Sequence, residues 1–108
     1  MQKVKYDKAV RDLIPDIIRA AGKECAVEQV SEPQFLELLR DKLAEEVAEY
    51  RAKPSLEELA DILEVIMAVV QLSGHTMEEL EDIRQKKAEA RGAFRDRLLL
   101  KYVLEPEK

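Results

Sequence analysis

Apolar residues recur every three or four positions along most of this chain, which is the spacing that gives a helix one apolar face. Serine or threonine precedes three of these stretches, with Gln or Glu three residues later, as in a capping box. A glycine or proline follows each stretch. The pattern predicts four helices, over residues 12–21, 31–53, 55–73 and 76–91.

Two segments lack helical spacing. Residues 25–30 and 97–104 are rich in apolar residues but show no period of three or four. We expect the second segment to be a short strand, with the first as its candidate partner. The predicted fold class is therefore all-α, a bundle of about four helices with a minor β element near residues 25–30 and 97–104.

The third predicted helix is apolar on almost every side between Ile62 and Leu72, where Glu64 and Gln71 are the polar exceptions. A helix that is apolar all round must be covered all round. Three other helices of this size do not suffice for that, since two of them are short. We therefore expect a homodimer, or a dimer of dimers, whose interface includes the third helix and completes the core.

The composition indicates one domain over residues 1–108, long enough to bury a core without a disulfide or structural metal. Cys25 is the single cysteine, which fits a reducing cytoplasm. No segment is apolar enough for a signal peptide or a membrane span, so we expect a soluble, cytoplasmic protein. A net charge of -5 and few aromatic residues argue against nucleic acid as a partner.

The charge is unevenly distributed along the chain. Residues 41–64 contain eight acids and three bases, whereas residues 84–101 contain seven bases and two acids. One explanation is two solvated faces that attract each other. The other is a cation site in the first region and an anion site in the second.

Four of the acids fall into register across the turn at Pro54. Glu49 lies five residues before this proline and Glu58 four after it, while Glu46 lies eight before and Asp61 seven after. Antiparallel helices would place each pair at the same height, so the four carboxylates could face one another. Such acids also occur on solvated faces, but close carboxylates need a cation to stay ionised. Oxygen ligands without histidine or cysteine favour Mg²⁺.

These motifs resemble a known family. "EEVAE" (45–49) followed by "ELAD" (58–61) is similar to the EExxE…ExxD pattern of the all-α nucleoside triphosphate pyrophosphohydrolases, which include MazG-type enzymes, dimeric dUTPases and phosphoribosyl-ATP pyrophosphohydrolase. "VRDLIPDII" (10–18) and "KKAEARGAFRDRLLL" (86–100) resemble a small single-domain MazG-like subgroup, described as phosphoribosyl-ATP-pyrophosphohydrolase-like. Together the segments cover most of the chain.

The resemblance implies Mg²⁺-dependent cleavage of a nucleoside triphosphate between its α and β phosphates, with Mn²⁺ as a substitute metal. It implies that the metal ligands are Glu46, Glu49, Glu58 and Asp61. Glu45 matches the first glutamate of the motif and would orient or deprotonate the attacking water. Glu64 lies level with Lys42, and we expect these two residues to form an ion pair; the alternative is that Glu64 supports the metal ligands without binding the ion.

For the phosphates of the substrate we expect basic residues of the last third of the chain, because guanidinium and ammonium groups bind phosphate oxygens. The candidates are Lys86, Arg91, Arg95 and Arg97. Arg11 and Lys3 are possible additions. The chain departs from the family in a short spacer of eight residues between Glu49 and Glu58, and in Ala93 where the subgroup often has a second glycine.

Two other functions compete with this one. The first is phosphoribosyl-ATP pyrophosphohydrolase activity in histidine biosynthesis, which differs only in substrate. The second is a non-catalytic helical dimer that binds a metal-nucleotide complex or a protein partner. Turnover of a substrate panel separates the three hypotheses.

Overall fold

The computed structural model describes residues 2–107, and these form four helices. The helices are α1 (Ile14–Ala20), α2 (Glu32–Ala52), α3 (Leu56–Leu72) and α4 (Met77–Arg91). Each lies within the range that the apolar spacing predicts. The all-α prediction is therefore confirmed.

The predicted β element is wrong. No strand occurs between residues 2 and 107, and residues 25–30 and 97–104 have no regular secondary structure. An extended segment becomes a stable strand only when its backbone pairs with other strands, and an isolated pair is marginal in water. The apolar side chains of these segments do not provide that pairing, and Leu98, Leu99 and Leu100 stay exposed.

Serine side chains cap the two long helices as the sequence predicts. Ser31 Oγ accepts a hydrogen bond from the Gln34 N–H at 3.3 Å, and Ser55 Oγ accepts one from the Glu58 N–H at 3.1 Å. Each bond satisfies one of the free N–H groups at a helix start. The Ser55 cap therefore fixes the backbone of Glu58 in the first turn of α3.

The chain divides into two compact units, the first ending at Met77 and the second beginning at Glu78. In the first unit α2 and α3 pack against each other across the short turn at residues 53–55. Three hydrophobic residues are buried there: Ala9, Leu39 and Val65. Partly buried side chains of both helices surround them, namely Phe35, Leu38, Leu43, Ala68, Val69 and Leu72.

The second unit contains most of α4 and the irregular segment that follows it. Along α4, the Lys86 Nζ lies 2.9 Å from an Asp82 carboxylate oxygen, and Arg84 pairs with Glu81. Gly92 ends the helix with a φ of +83°, a left-handed conformation that glycine adopts without strain. Ala93 lies outside the left-handed region. Ala93, at the position where the resembled subgroup often has a second glycine, therefore needs no left-handed conformation.

Within the described part of the chain, every helix is too short or too polar to cross a lipid bilayer.

Candidate metal centre

Three carboxylates from two helices meet near the turn between α2 and α3. Glu46 of α2 and Glu58 and Asp61 of α3 each offer an oxygen, and these oxygens lie within 4.8 Å of one another. Glu58 and Asp61 are three residues apart and so share one face of α3. The packing of α2 on α3 then brings Glu46 to the same height. We call these three residues the carboxylate triad.

The triad contains two oxygens that lack a partner. Glu46 is only 7% exposed, although carboxylates are rarely buried. Glu46 Oε2 and Glu58 Oε2 are both inaccessible to solvent and accept no hydrogen bond from the described residues. Burying a carboxylate oxygen without a donor or a cation costs free energy. A divalent cation between the two carboxylates would satisfy both oxygens, and so would a proton shared by them.

The acids raise one another's pKa values. The adjacent Glu46 carboxyl is the main cause that raises the pKa of Glu58 from its ordinary 4.5 to about 7, with burial and the charge of Glu49 adding to it. The same Glu46 carboxyl also raises the pKa of Glu49. Glu49 is outside the triad and lies three residues after Glu46 on α2. Three of the four predicted ligands thus form the triad, and we call the triad together with the exposed Glu49 the acidic cluster.

Two basic side chains partly neutralise the negative charge of this cluster. The Lys42 Nζ lies 3.5 Å from Glu46 Oε1, one turn away on α2. Lys42 therefore pairs with Glu46, and the predicted ion pair between Lys42 and Glu64 is wrong. Arg11 Nη2 donates a hydrogen bond to Asp61 Oδ1 at 2.7 Å. These contacts still leave the two Oε2 atoms unpaired.

Glu45 lies outside the triad and has its own partner. The Lys8 Nζ donates a hydrogen bond to Glu45 Oε1 at 2.9 Å, and this bond holds the pKa of Glu45 below its ordinary value. Glu45 is consequently ionised at neutral pH. A carboxylate of that kind accepts hydrogen bonds well but is a weak base.

The basic residues expected to bind phosphate belong to the second unit. Lys86 pairs with Asp82, and Arg91 is the last residue of α4. Arg95 and Arg97 follow in the irregular segment, and Arg97 has a φ of +54°. Their role as phosphate ligands stays a prediction.

Sequence reasoning missed Lys8 and gave Arg11 only as a possible addition. Both residues precede α1, in a stretch with no helical or strand period. The neighbouring Ala9 is 5% exposed and packs with Leu39 and Val65, which fixes the stretch against α2 and α3. A single buried alanine, with the exposed Lys8 before it and the exposed Val10 after it, forms no periodic pattern, so no signal in the sequence marked this contact.

Comparison with known proteins gives little further information. No protein-family model matches the chain, and no solved structure matches it. An uncharacterized protein of Mycolicibacterium smegmatis is 46% identical over 43 residues. The match covers 40% of this chain and 44% of that protein, so the chain spans less than half the length of the curated relative that it matches. This similarity assigns neither a family nor an activity.

Proposed function

We propose that the protein is a Mg²⁺-dependent nucleoside triphosphate pyrophosphohydrolase that removes unwanted nucleotides from the pool. The reaction consumes one water, cleaves the anhydride bond between the α and β phosphates, and releases a nucleoside monophosphate and pyrophosphate. The observation that carries the proposal is the carboxylate triad, in which two helices supply buried oxygens that lack a partner.

The donor set of the cluster suits a hard divalent cation. Glu46, Glu58 and Asp61 offer only oxygen atoms, and no histidine or cysteine belongs to the triad. Mg²⁺ prefers such ligands, and Mn²⁺ accepts them as well. The residues that would hold the ion are the triad and Glu49. A bound Mg²⁺ would neutralise phosphate charge and orient the reacting phosphates.

Glu45 would orient the attacking water. Its carboxylate is held ionised by the Lys8 ammonium, so it can accept a hydrogen bond from water at neutral pH. Positioning of the water is the role that this contact supports, and proton abstraction stays the alternative. Phosphoryl transfer requires positioning and charge neutralisation above all, so a site of this kind is sufficient in principle.

The basic residues near the end of the chain stay candidate phosphate ligands by their chemistry. Its candidates are Lys86, Arg91, Arg95 and Arg97. A guanidinium can donate two parallel hydrogen bonds to one phosphate group, and an ammonium acts as a point charge.

Pyrophosphate release from a panel of canonical and damaged nucleoside triphosphates tests the proposal. We expect turnover with Mg²⁺ and none with chelator. Asp61→Asn and Glu49→Gln should each lower turnover at least about 100-fold, because both remove a charge from the cation site. Glu57→Gln is the matched control, since it removes an exposed acid of α3 outside the cluster and should retain full activity.

Equal turnover in wild type, Asp61→Asn and Glu49→Gln would contradict the proposal. Turnover of phosphoribosyl-ATP alone would reassign the substrate. Binding of the nucleotide in calorimetry without product over hours would indicate a binding protein instead of an enzyme. Circular dichroism of each variant confirms that its helices are intact.

A further inference from the structure

The stretch from Asp7 to Arg11 crosses the edge of the acidic cluster. Its centre is anchored, because Ala9 is buried against Leu39 of α2 and Val65 of α3. On one side of Ala9 the Lys8 ammonium reaches Glu45 of α2, and on the other the Arg11 guanidinium reaches Asp61 of α3. Asp7 begins the stretch with a left-handed φ of +47°. Two positively charged side chains, three residues apart, are thus held in place: Lys8 by a contact with α2 and Arg11 by a contact with α3.

Both cationic groups remain accessible to a ligand. The side chains of Lys8 and Arg11 are 48% and 56% exposed. The Arg11 guanidinium has five N–H donors, and the bond to Asp61 Oδ1 is the one hydrogen bond that it makes within residues 2–107. Most of its donors therefore still face solvent at the edge of the cluster.

We propose that Arg11, assisted by Lys8, binds the polyphosphate of the substrate. On binding, the Arg11 guanidinium gives up its hydrogen bond to Asp61 and donates to phosphate oxygens instead. Without a ligand, Arg11 neutralises one member of the triad. If Asp61 held a divalent cation, the Arg11 guanidinium would be free beside the cluster to donate hydrogen bonds to phosphate oxygens. This inference deepens the proposed function and rests on it for the identity of the ligand, a pyrophosphate or triphosphate group.

The exchange is favoured by the kind of contact that Arg11 makes. The ion pair with Asp61 is half exposed and consists of one hydrogen bond, and such pairs contribute little to stability. A phosphate offers the same guanidinium two parallel hydrogen bonds and more negative charge. Arg11 therefore loses little by leaving Asp61 and gains more from a phosphate.

Two binding titrations test the proposal without any turnover. The first measures Mn²⁺ alone, by the electron paramagnetic resonance signal of the free ion. The second measures inorganic pyrophosphate at saturating Mg²⁺, by calorimetry. The proteins are wild type, Arg11→Gln, Arg11→Lys and Lys8→Gln. Arg40→Gln is the matched control, because Arg40 also forms an exposed ion pair, with Glu37 on α2, away from the cluster.

Arg11→Gln should change the two affinities in opposite directions. We expect Mn²⁺ to bind about two- to fivefold more tightly, because Asp61 loses its competing cation. Pyrophosphate should bind about tenfold or more weakly, because the charged donors are gone. Arg11→Lys should keep the Mn²⁺ affinity of wild type and lose part of the pyrophosphate affinity. Lys8→Gln should weaken pyrophosphate binding without improving Mn²⁺ binding, since Glu45 lies outside the triad.

Unchanged pyrophosphate affinity in Arg11→Gln would overturn the proposal, and so would a loss of the same size in Arg40→Gln. Parallel weakening of both ligands would also overturn it, because it would show that the stretch merely supports the fold. Failure of the proposed function looks different. In that case the wild type binds Mn²⁺ and pyrophosphate, and the variants change both affinities as expected above. The wild type nevertheless hydrolyses no triphosphate.

Discussion

Glu58 couples the acidic cluster to the stability of the fold. Its folded-state pKa of about 7 lies above the ordinary 4.5, so the folded protein favours the protonated carboxyl. The stability that this proton contributes is complete below pH 4.5 and is lost as the pH rises through about 7. Glu49, whose pKa is also raised, acts in the same direction.

We therefore expect the metal-free protein to become less stable between pH 4.5 and pH 8. Urea unfolding at several pH values in the presence of chelator measures the slope of the free energy of unfolding against pH. Glu58→Gln should flatten it, because the amide does not titrate, while Glu57→Gln should leave it unchanged. A Glu58→Gln variant with the full wild-type slope would show that other groups cause the dependence.

At the scale of the helices, the packing of α2 on α3 carries both the core and the acidic cluster. Leu39 is 6% exposed and contacts the same small core as Ala9 and Val65. Leu39→Ala should lower the free energy of unfolding by about 2–4 kcal/mol, through lost burial and the cavity that remains.

Denaturant unfolding measures this change. Leu56→Ala is the control, since Leu56 is 83% exposed at the start of α3 and its truncation should cost less than about 0.5 kcal/mol. Similar costs for both variants would show that Leu39 is not part of a packed core. Leu39→Ala should also weaken Mn²⁺ binding, because the cluster needs α2 and α3 in register.

The helices were predictable from the sequence because the features that determine them lie close together along the chain. Apolar spacing and the capping serines Ser31 and Ser55 lie within the segments that they define. The register of Glu46 with Asp61 was also predictable, because a short turn and a fixed rise per residue determine it.

The rest of the site depends on contacts between distant residues. Arg11 meets Asp61 across fifty positions, and Lys8 meets Glu45 across thirty-seven. Neither pair lies within one helix or across one short turn, so no spacing rule connects them. The predicted strand failed for a related reason, since residues 97–104 have strand-like composition but no local feature decides whether a partner exists.

At the scale of the whole molecule, apolar surface exceeds what the chain itself covers. Within residues 2–107, the buried hydrophobic residues are Ala9, Leu39 and Val65. Leu59 and Leu63 of α3 are 43% and 51% exposed and lie on one face, four residues apart. An apolar face of this kind is where a second molecule could pack on α3. Self-association through α3 stays our proposal.

Sedimentation velocity over a range of concentrations tests this proposal. We expect a dimer or tetramer for the wild type and dissociation for Leu63→Glu, because a charge on that face would be buried without a partner. Val27→Glu, which alters an exposed residue outside the helices, should keep the wild-type state. A monomeric wild type at every concentration would refute the proposal.

The two unpaired oxygens of the cluster have a consequence for the protein's lifetime in the cell. Any cation that occupies the cluster binds the folded chain alone, and so increases the folded fraction by mass action. If that cation is Mg²⁺, a cell that runs short of magnesium would hold more of this protein unfolded. Proteases degrade unfolded chains first. The abundance of the protein would then follow the supply of the ion.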